Sequence, residues 1–296
     1  MDFKRIQVLL LAFFVIFDLY LGYLLIERGS LKMISQDSTE EVNIVQEMKA
    51  RGVEILNTIN VDSQQPELAV VKTAPNNELR AKRHQLQNQT VSISPEGVLS
   101  SEFTNPIELD ISLGEDSQEL TREDFLWIRE NILMDESLFI HGEQYLNHWY
   151  SPQENLIIIR MVTKEGYQEP ASTEEPSIPI SDGTAELRIL LDNSYNMISY
   201  MQTYQTEAFR LEKEKELISS QNALEIIENR IDTTLPNDAE IFSFKLSYYQ
   251  SVTTKDFNVY HPAWEVIYFR RESGQTQSVL VDAIRGNVVD LKAFTN

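Results

Sequence analysis

Four histidines, forty-six carboxylates and three tryptophans are the side chains with which this chain could do chemistry. A histidine pair can hold a metal or pass a proton. The closest pair, His141 and His148, lies seven residues apart in a region that reads as strand, and an odd separation puts them on opposite faces. With His84 and His261 they read as isolated surface or packing residues. Two carboxylates flanking a glycosidic bond would make a glycosidase. The adjacent acids here, Glu115-Asp116, Glu123-Asp124 and Glu174-Glu175, fall in loops or in a helix first turn, where they serve the helix dipole. Asp192 and Asp282 each close a strand, without the Asp-x-Asp-x-Asp-Gly series that binds calcium, so turn formation accounts for them. The absence of cysteine excludes thiol catalysis and thiolate metal sites. Gly-x-Ser-x-Gly, His-Glu-x-x-His and the Walker glycine loop are also absent. Trp127, Trp149 and Trp264 sit in apolar patterns and read as core anchors rather than a sugar platform. No catalytic residue, cofactor site or metal site is assigned, and no enzyme class is expected.

One ionisable residue is out of place. Asp18 lies inside the apolar run Ile6–Ile26, whose length of roughly 30 Å as a helix matches the hydrocarbon core of a bilayer. An acid there costs about 2.5–3.5 kcal/mol to insert. Leu11, Phe14, Asp18, Gly22 and Leu25 recur by threes and fours and would share one helix face. Gly22 allows a neighbouring backbone to approach, and Asp18 can hydrogen-bond across to a polar group of a partner helix. The alternative is a protonated Asp18 facing lipid. The run is too long for a signal-peptide apolar stretch, and no small-x-small site follows it, so an uncleaved anchor is expected. Lys4 and Arg5 before it and Arg28 and Lys32 after it leave the charge rule undecided. The short N-terminal tail favours an N-terminus inside and the bulk of the chain outside, and the lack of cysteine fits an extracytoplasmic setting.

Beyond that run the residues hold enough apolar and aromatic side chains for a real core. Residues 1–26 contain two acids and two bases, so the remainder carries the whole net charge of −21. An acidic domain argues against nucleic acid or anionic headgroups as partners and suits a basic protein surface or simple solubility.

The elements needed to position anything follow from pattern. A helix opens at Ser38 and ends near Arg51-Gly52. Short strands are expected at 53–59, 68–71, 90–93 and 98–103, with a turn at Ser94–Gly97 and a short helix within 76–88. Thr121 caps a helix over 122–134, followed by strands at 139–150, 156–162, 186–191 and 198–204, with a loop over 169–183. The charged segment 207–216 reads as helical. Ser219 caps a helix to Arg230, and strands follow at 240–250, 263–271, 277–282 and 288–294. Residues 121–204 and 219–294 thus share an order, helix then strands, and their last hairpins both turn at an Asp. The expected fold is α+β, a single N-terminal transmembrane helix followed by two units, each an antiparallel sheet packed by helices. The expected division is 1–30 tail and anchor, 31–38 linker, 39–204 first unit and 205–296 second unit.

Met1-Asp2-Phe3-Lys4-Arg5-Ile6, followed by an apolar helix containing Phe17-Asp18-Leu19-Tyr20-Leu21, resembles the start of the YycI (WalI) family. Pro262-Ala-Trp264-Glu-Val266 and Val279-Leu-Val-Asp282-Ala-Ile-Arg-Gly286-Asn-Val are similar to the closing hairpin of PepSY-like units. The resemblance implies a non-enzymatic regulator in the cell membrane of Gram-positive bacteria, with two extracytoplasmic α+β domains related to YycH. It implies association with a YycH-like protein as a heterodimer and with the sensor histidine kinase YycG (WalK), whose two-component system controls cell-wall metabolism. Cofactors are not implied. Other classes remain open: an extracytoplasmic PepSY-like binding protein or protease inhibitor, and an anchored wall enzyme with an unrecognised site.

Overall fold

The computed structural model describes residues 44–111, 113, 120–163 and 178–290. The apolar run Ile6–Ile26, and with it Leu11, Phe14, Asp18, Gly22 and Leu25, lies outside the described residues. Among the described residues no helix is long and apolar enough to cross a membrane.

The secondary structure is mostly sheet with few helices. Helix α1 spans Ile44–Arg51 and stops at Gly52, whose φ of +102° only glycine adopts freely. Short strands β1 (Glu54–Ile55), β2 (Glu67–Leu68) and β3 (Val71–Thr73) follow, then helix α2 (Glu78–Lys82). Hairpin β4 (Gln89–Ile93) and β5 (Leu99–Ile107) turns at Ser94–Gly97, where the Gly97 N–H donates to Ser94 O. Helix α3 (Arg122–Ile128) begins at Thr121, whose Oγ1 accepts from the Asp124 N–H, and runs on as a wider turn over Arg129–Leu133.

After α3 come β6 (Tyr145–Ser151), β7 (Leu156–Thr163), β8 (Ile178–Pro179), β9 (Glu186–Leu191) and β10 (Met197–Gln202). Two-residue strands β11 (Phe209–Arg210) and β12 (Lys215–Glu216) occupy the segment that reads as helical by composition. Ion pairs at helical spacing, Arg210 with Glu214 and Lys215 with Glu212, do form there. The backbone is nevertheless claimed by distant partners, as Phe209 pairs with Lys72 and Lys215 with Leu68. Helix α4 (Ser220–Glu228) is capped by the Ser219 hydroxyl, and β13 (Ala239–Thr253), β14 (Asn258–Arg270), β15 (Thr276–Asp282) and β16 (Asn287–Val289) complete the described chain.

Fourteen of these strands make two seven-stranded sheets, and β2 pairs with β12 as a two-stranded ribbon. The first runs β4-β5-β10-β9-β7-β6, antiparallel throughout, with β8 added to β7. The second runs β1-β13-β14-β15-β16, with β3 against the start of β14 and β11 against β3. Its one parallel pairing is β1 with β13. Strands β6-β7-β9-β10 and β13-β14-β15-β16 are both four-stranded meanders preceded by a capped helix. In both, the last turn is built by an aspartate: Asp192 Oδ1 accepts from the Ser194 and Asn196 N–H groups, and Asp282 Oδ1 from those of Ile284 and Arg285.

Chain topology crosses the expected 204/205 division, because β1 and β3 from the first segment hydrogen-bond into the second sheet. Glu47–Asn296 form one compact unit.

Each sheet turns one face to a helix. On the first, Ile157, Ile159, Leu187 and Ile189 are fully buried together with Phe125 and Ile128 of α3. On the second, α4 packs on β15 and β16 through Ala223, Leu224 and Ile227.

Candidate functional site

Strand pairing sets up the other faces. Directly opposed residues share a face, so the register Asn147–Arg160–Glu186 crosses the first sheet as one row and Trp149–Ile158–Arg188 as the next. On the second sheet Lys245–Glu265–Leu280 is the equivalent row. Arg160 and Glu265 join the two sheets in a direct ion pair, both nearly fully buried. The Arg160 Nε–H also donates to Glu186 Oε2 at 2.8 Å, and its guanidinium lies 4.2 Å from the Trp149 ring centre, a cation–π contact. Glu186 Oε1 takes a second bond, 2.6 Å, from the Arg188 Nε–H, and Glu265 Oε2 takes one, 2.7 Å, from the Ser181 hydroxyl. Burial opposes the charge on Arg160, yet Glu265 and Glu186 more than offset it and raise its pKa. Burial likewise acts against Glu186, and Arg160 and Arg188 reverse it, holding the carboxyl below its usual range. The seam is thus ionised and hydrogen-bonded, the condition under which buried charges survive.

Cavities open on the surface of the described residues. A cleft of about 370 Å³ is lined by amides, among them Asn76, Gln205, Gln250 and Asn258, together with Arg80, Glu96 and the apolar Leu79 and Ile93. Several of these amides satisfy one another: Gln205 Oε1 accepts from Asn258 Nδ2 at 3.3 Å, and Asn258 Oδ1 from Gln250 Nε2 at 3.2 Å. A second cavity, of about 240 Å³, is bordered by His148, Trp149 and Tyr150 of β6, Lys245 of β13 and Leu120 ahead of α3. Burial holds the His148 imidazole neutral, down at about 4, and pushes the Lys245 ammonium down to about 8 against the opposing pull of Glu265.

Among the described residues no group of three or more His, Asp or Glu side chains is placed to hold a metal. The histidines are each engaged locally. His141 is not on a strand, as its sequence context led one to expect, but in a left-handed turn at φ +54°, where Nε2 lies 3.2 Å from Glu78 Oε2 and the ring stacks on Tyr204. His148 stacks on Phe125, ring centres 3.7 Å apart. His261 Nδ1 lies 3.5 Å from Asp282 Oδ2. Trp264 donates its indole N–H to Ile218 O at 2.8 Å, an anchoring role.

The family described as YycI protein matches residues 32–284. The chain belongs to the YycI family. That match covers most of the chain; it begins after the N-terminal motif and takes in the closing hairpin as far as Ile284. The YycI family is a regulatory family and not a known enzyme family, and it ties the chain to regulation of the YycFG two-component system. No curated protein matches. Two solved structures are distantly similar in shape. An uncharacterized protein from Eubacterium rectale gives 12% identity and a TM-score of 0.39, over 81% of this chain and 91% of that one. The Bacillus megaterium YpeB C-terminal domain gives 11% identity and a TM-score of 0.31, over 88% of this chain and 99% of that one.

For this YycI family member the residues expected to meet a partner helix, Leu11, Phe14, Asp18, Gly22 and Leu25, fall outside the described residues. Motif reading missed Arg160, Glu265 and Lys245, because none belongs to a known signature. A signal was present: Arg160 interrupts Leu-Ile-Ile-Ile-Arg-Met-Val and Glu265 interrupts Ala-Trp-Glu-Val-Ile. A lone charge inside a run that must be buried needs a buried partner.

Proposed function

We propose that this protein is a membrane-anchored accessory regulator. With a YycH-like protein, it binds and modulates the sensor histidine kinase YycG (WalK), which controls cell-wall metabolism. The observation that carries this reading is membership of the YycI family over residues 32–284. The perturbed groups of the described part support it physically. Arg160 is paired with both Glu186 and Glu265 and so joins two sheets, an arrangement suited to holding a rigid body rather than to turnover. Residues 1–30 would form the cytoplasmic tail and the transmembrane helix, with the rest extracytoplasmic.

The kinase output depends on the packing of its membrane helices in this reading. A helix lying against them shifts the balance between two packings only if it binds them unequally. The face Leu11, Phe14, Asp18, Gly22 and Leu25 would make that contact. Gly22 would allow close approach and Asp18 a cross-helix hydrogen bond.

The test is Asp18→Leu at the native locus, scored by co-purification with the kinase and by a wall-regulon reporter. Weaker co-purification with altered reporter output is expected. Unchanged complex and unchanged signalling remove Asp18 from the mechanism. Failure of the unaltered chain to co-purify with the kinase overturns the whole reading and favours an extracytoplasmic PepSY-like binder instead.

A further inference from the structure

Among the described residues Lys245 is the one lysine set into the charged seam, and it is left without an acceptor there. It projects from β13 beside Glu265, its register partner on β14. Both Glu265 oxygens are already engaged, one by Arg160 and the other by the Ser181 hydroxyl. Lys245 makes no hydrogen bond or ion pair with any described residue. The charges on the seam do not balance. Arg160, Arg188 and Lys245 stand against Glu186 and Glu265, and His148 adds nothing because burial keeps it neutral. In a chain whose net charge is −21, this half-buried spot therefore carries a local surplus of positive charge.

The surplus borders a cavity. Lys245 and Ser243 line the same space of about 240 Å³ as Trp149, with Leu120 and Ile267 as apolar walls. The Trp149 indole N–H is buried with no acceptor among the described residues. The space holds roughly eight waters' worth of liquid volume, enough for a ring or a short chain attached to one charged group. An unpaired ammonium held largely out of water gains most from an anion that both neutralises it and brings its own apolar body. Phosphate fits poorly, since a single ammonium stands there in place of an arginine fork or a helix N-terminus.

We propose that this cavity binds a small organic carboxylate. The Lys245 ammonium pairs with the carboxylate, the Ser243 hydroxyl donates a second hydrogen bond, and Leu120 and Ile267 pack on the apolar part. Lys245 keeps most of its charge at neutral pH, since burial lowers it only to about 8.

The test uses the full chain in detergent micelles, with benzoate as the probe and benzamide as its uncharged match in shape. Binding is followed by ligand-observed NMR and by tryptophan fluorescence. Saturable millimolar binding of benzoate is expected, with benzamide weaker by about tenfold or more. Lys245→Met, which keeps the aliphatic stem, is expected to lose benzoate binding by a similar factor while its melting transition remains. Equal binding of benzamide overturns the proposal. So does undiminished binding by Lys245→Met, equal binding of inorganic phosphate, or no saturable binding at all. If Lys245→Met does not fold, the benzoate and benzamide titrations of the unaltered chain decide the matter alone.

Discussion

The two faces of the first sheet are buried by opposite means. On the α3 side, Ile157, Ile159, Leu187 and Ile189 exclude water completely and carry no polar atom that needs a partner. On the side that meets the second sheet, Arg160 and Glu186 are about as deeply buried, and every charge depends on a specific neighbour. Strand β7 supplies both faces from consecutive residues, Ile159 and Arg160, because side chains alternate along a strand. Apolar burial is non-directional and tolerates sliding; a hydrogen-bonded ion pair does not. The apolar face therefore contributes most of the stability, while the seam fixes which residue of one sheet lies over which residue of the other.

The largest effect expected breaks the seam from one side. Glu265→Ala leaves Arg160 with one carboxylate fewer in a dry site, and a loss of about 3–5 kcal/mol in urea unfolding is expected. Replacing both partners, Arg160→Met with Glu265→Leu, should cost much less than Glu265→Ala alone, since no charge is then stranded at their contact. By contrast, Ile189→Ala on the helix side should cost about 2–5 kcal/mol whatever is done to the seam. Additive losses at Arg160 and Glu265 would show that the pair does not act as a unit.

A second effect separates the two hairpin turns. Asp192 sits in an exposed turn, whereas Asp282 is fully buried and also accepts the Tyr249 hydroxyl at 2.6 Å. Burial alone would push the Asp282 carboxyl up. The nearby His261 ring, the Tyr249 hydroxyl and two backbone N–H groups more than reverse that and hold it at about 2. Because the folded value lies below the unfolded one, the stabilisation is fully present above about pH 4 and is lost as pH falls through about 2. Asp282→Asn should cost about 1.5–3 kcal/mol at neutral pH and flatten that part of the acid-unfolding curve. The Asp192 carboxyl is also held below its usual range, by bonds from Asn196, but in water, so Asp192→Asn should cost less and alter the acid-unfolding curve less. Equal effects at the two positions would mean that the turn itself, not its burial, sets the contribution.

Much of this architecture was legible because it is local. Thr121 and Ser219 announce both helices, Ser94–Gly97 announces a hairpin, and alternation places the strands of both meanders. What was not legible is long-range. Composition gave 207–216 as helix, but pairing with residues 67–72 holds it extended. Strands β1 and β3 join a sheet whose other members lie over 130 residues away, and no local pattern encodes such a partner. Gly142 looks incidental in the sequence, yet a Cβ there would sit 2.0 Å from Leu133 O, so only glycine lets that turn close on α3's extension. Arg160 and Glu265 were each visible as misplaced charges, but that they answer each other across 105 residues was not.

A smaller effect asks how alike the two meanders are at their starts. Both helices depend on one hydroxyl: Thr121 Oγ1 accepts from the Asp124 N–H at 3.1 Å and Ser219 Oγ from the Asn222 N–H at 3.2 Å. Thr121→Ala and Ser219→Ala should each cost about 1 kcal/mol in thermal or urea unfolding. A clear difference between them would show that one helix is held mainly by its cap and the other by its packing.

The smallest effect expected is the counterpart of the first. Lys215 and Glu212 also form a direct ion pair, but both side chains are largely in water. Solvent screens their attraction, and holding two long side chains in one geometry costs entropy that offsets what remains. Lys215→Ala should therefore change the urea midpoint less than either cap does, and the difference should shrink further in molar salt. Glu265→Ala should keep its full cost in the same salt, because ions cannot enter between the sheets to replace the missing carboxylate. If salt weakens both pairs alike, the seam is wetter than its burial implies, and its role in fixing the two sheets against each other falls with it.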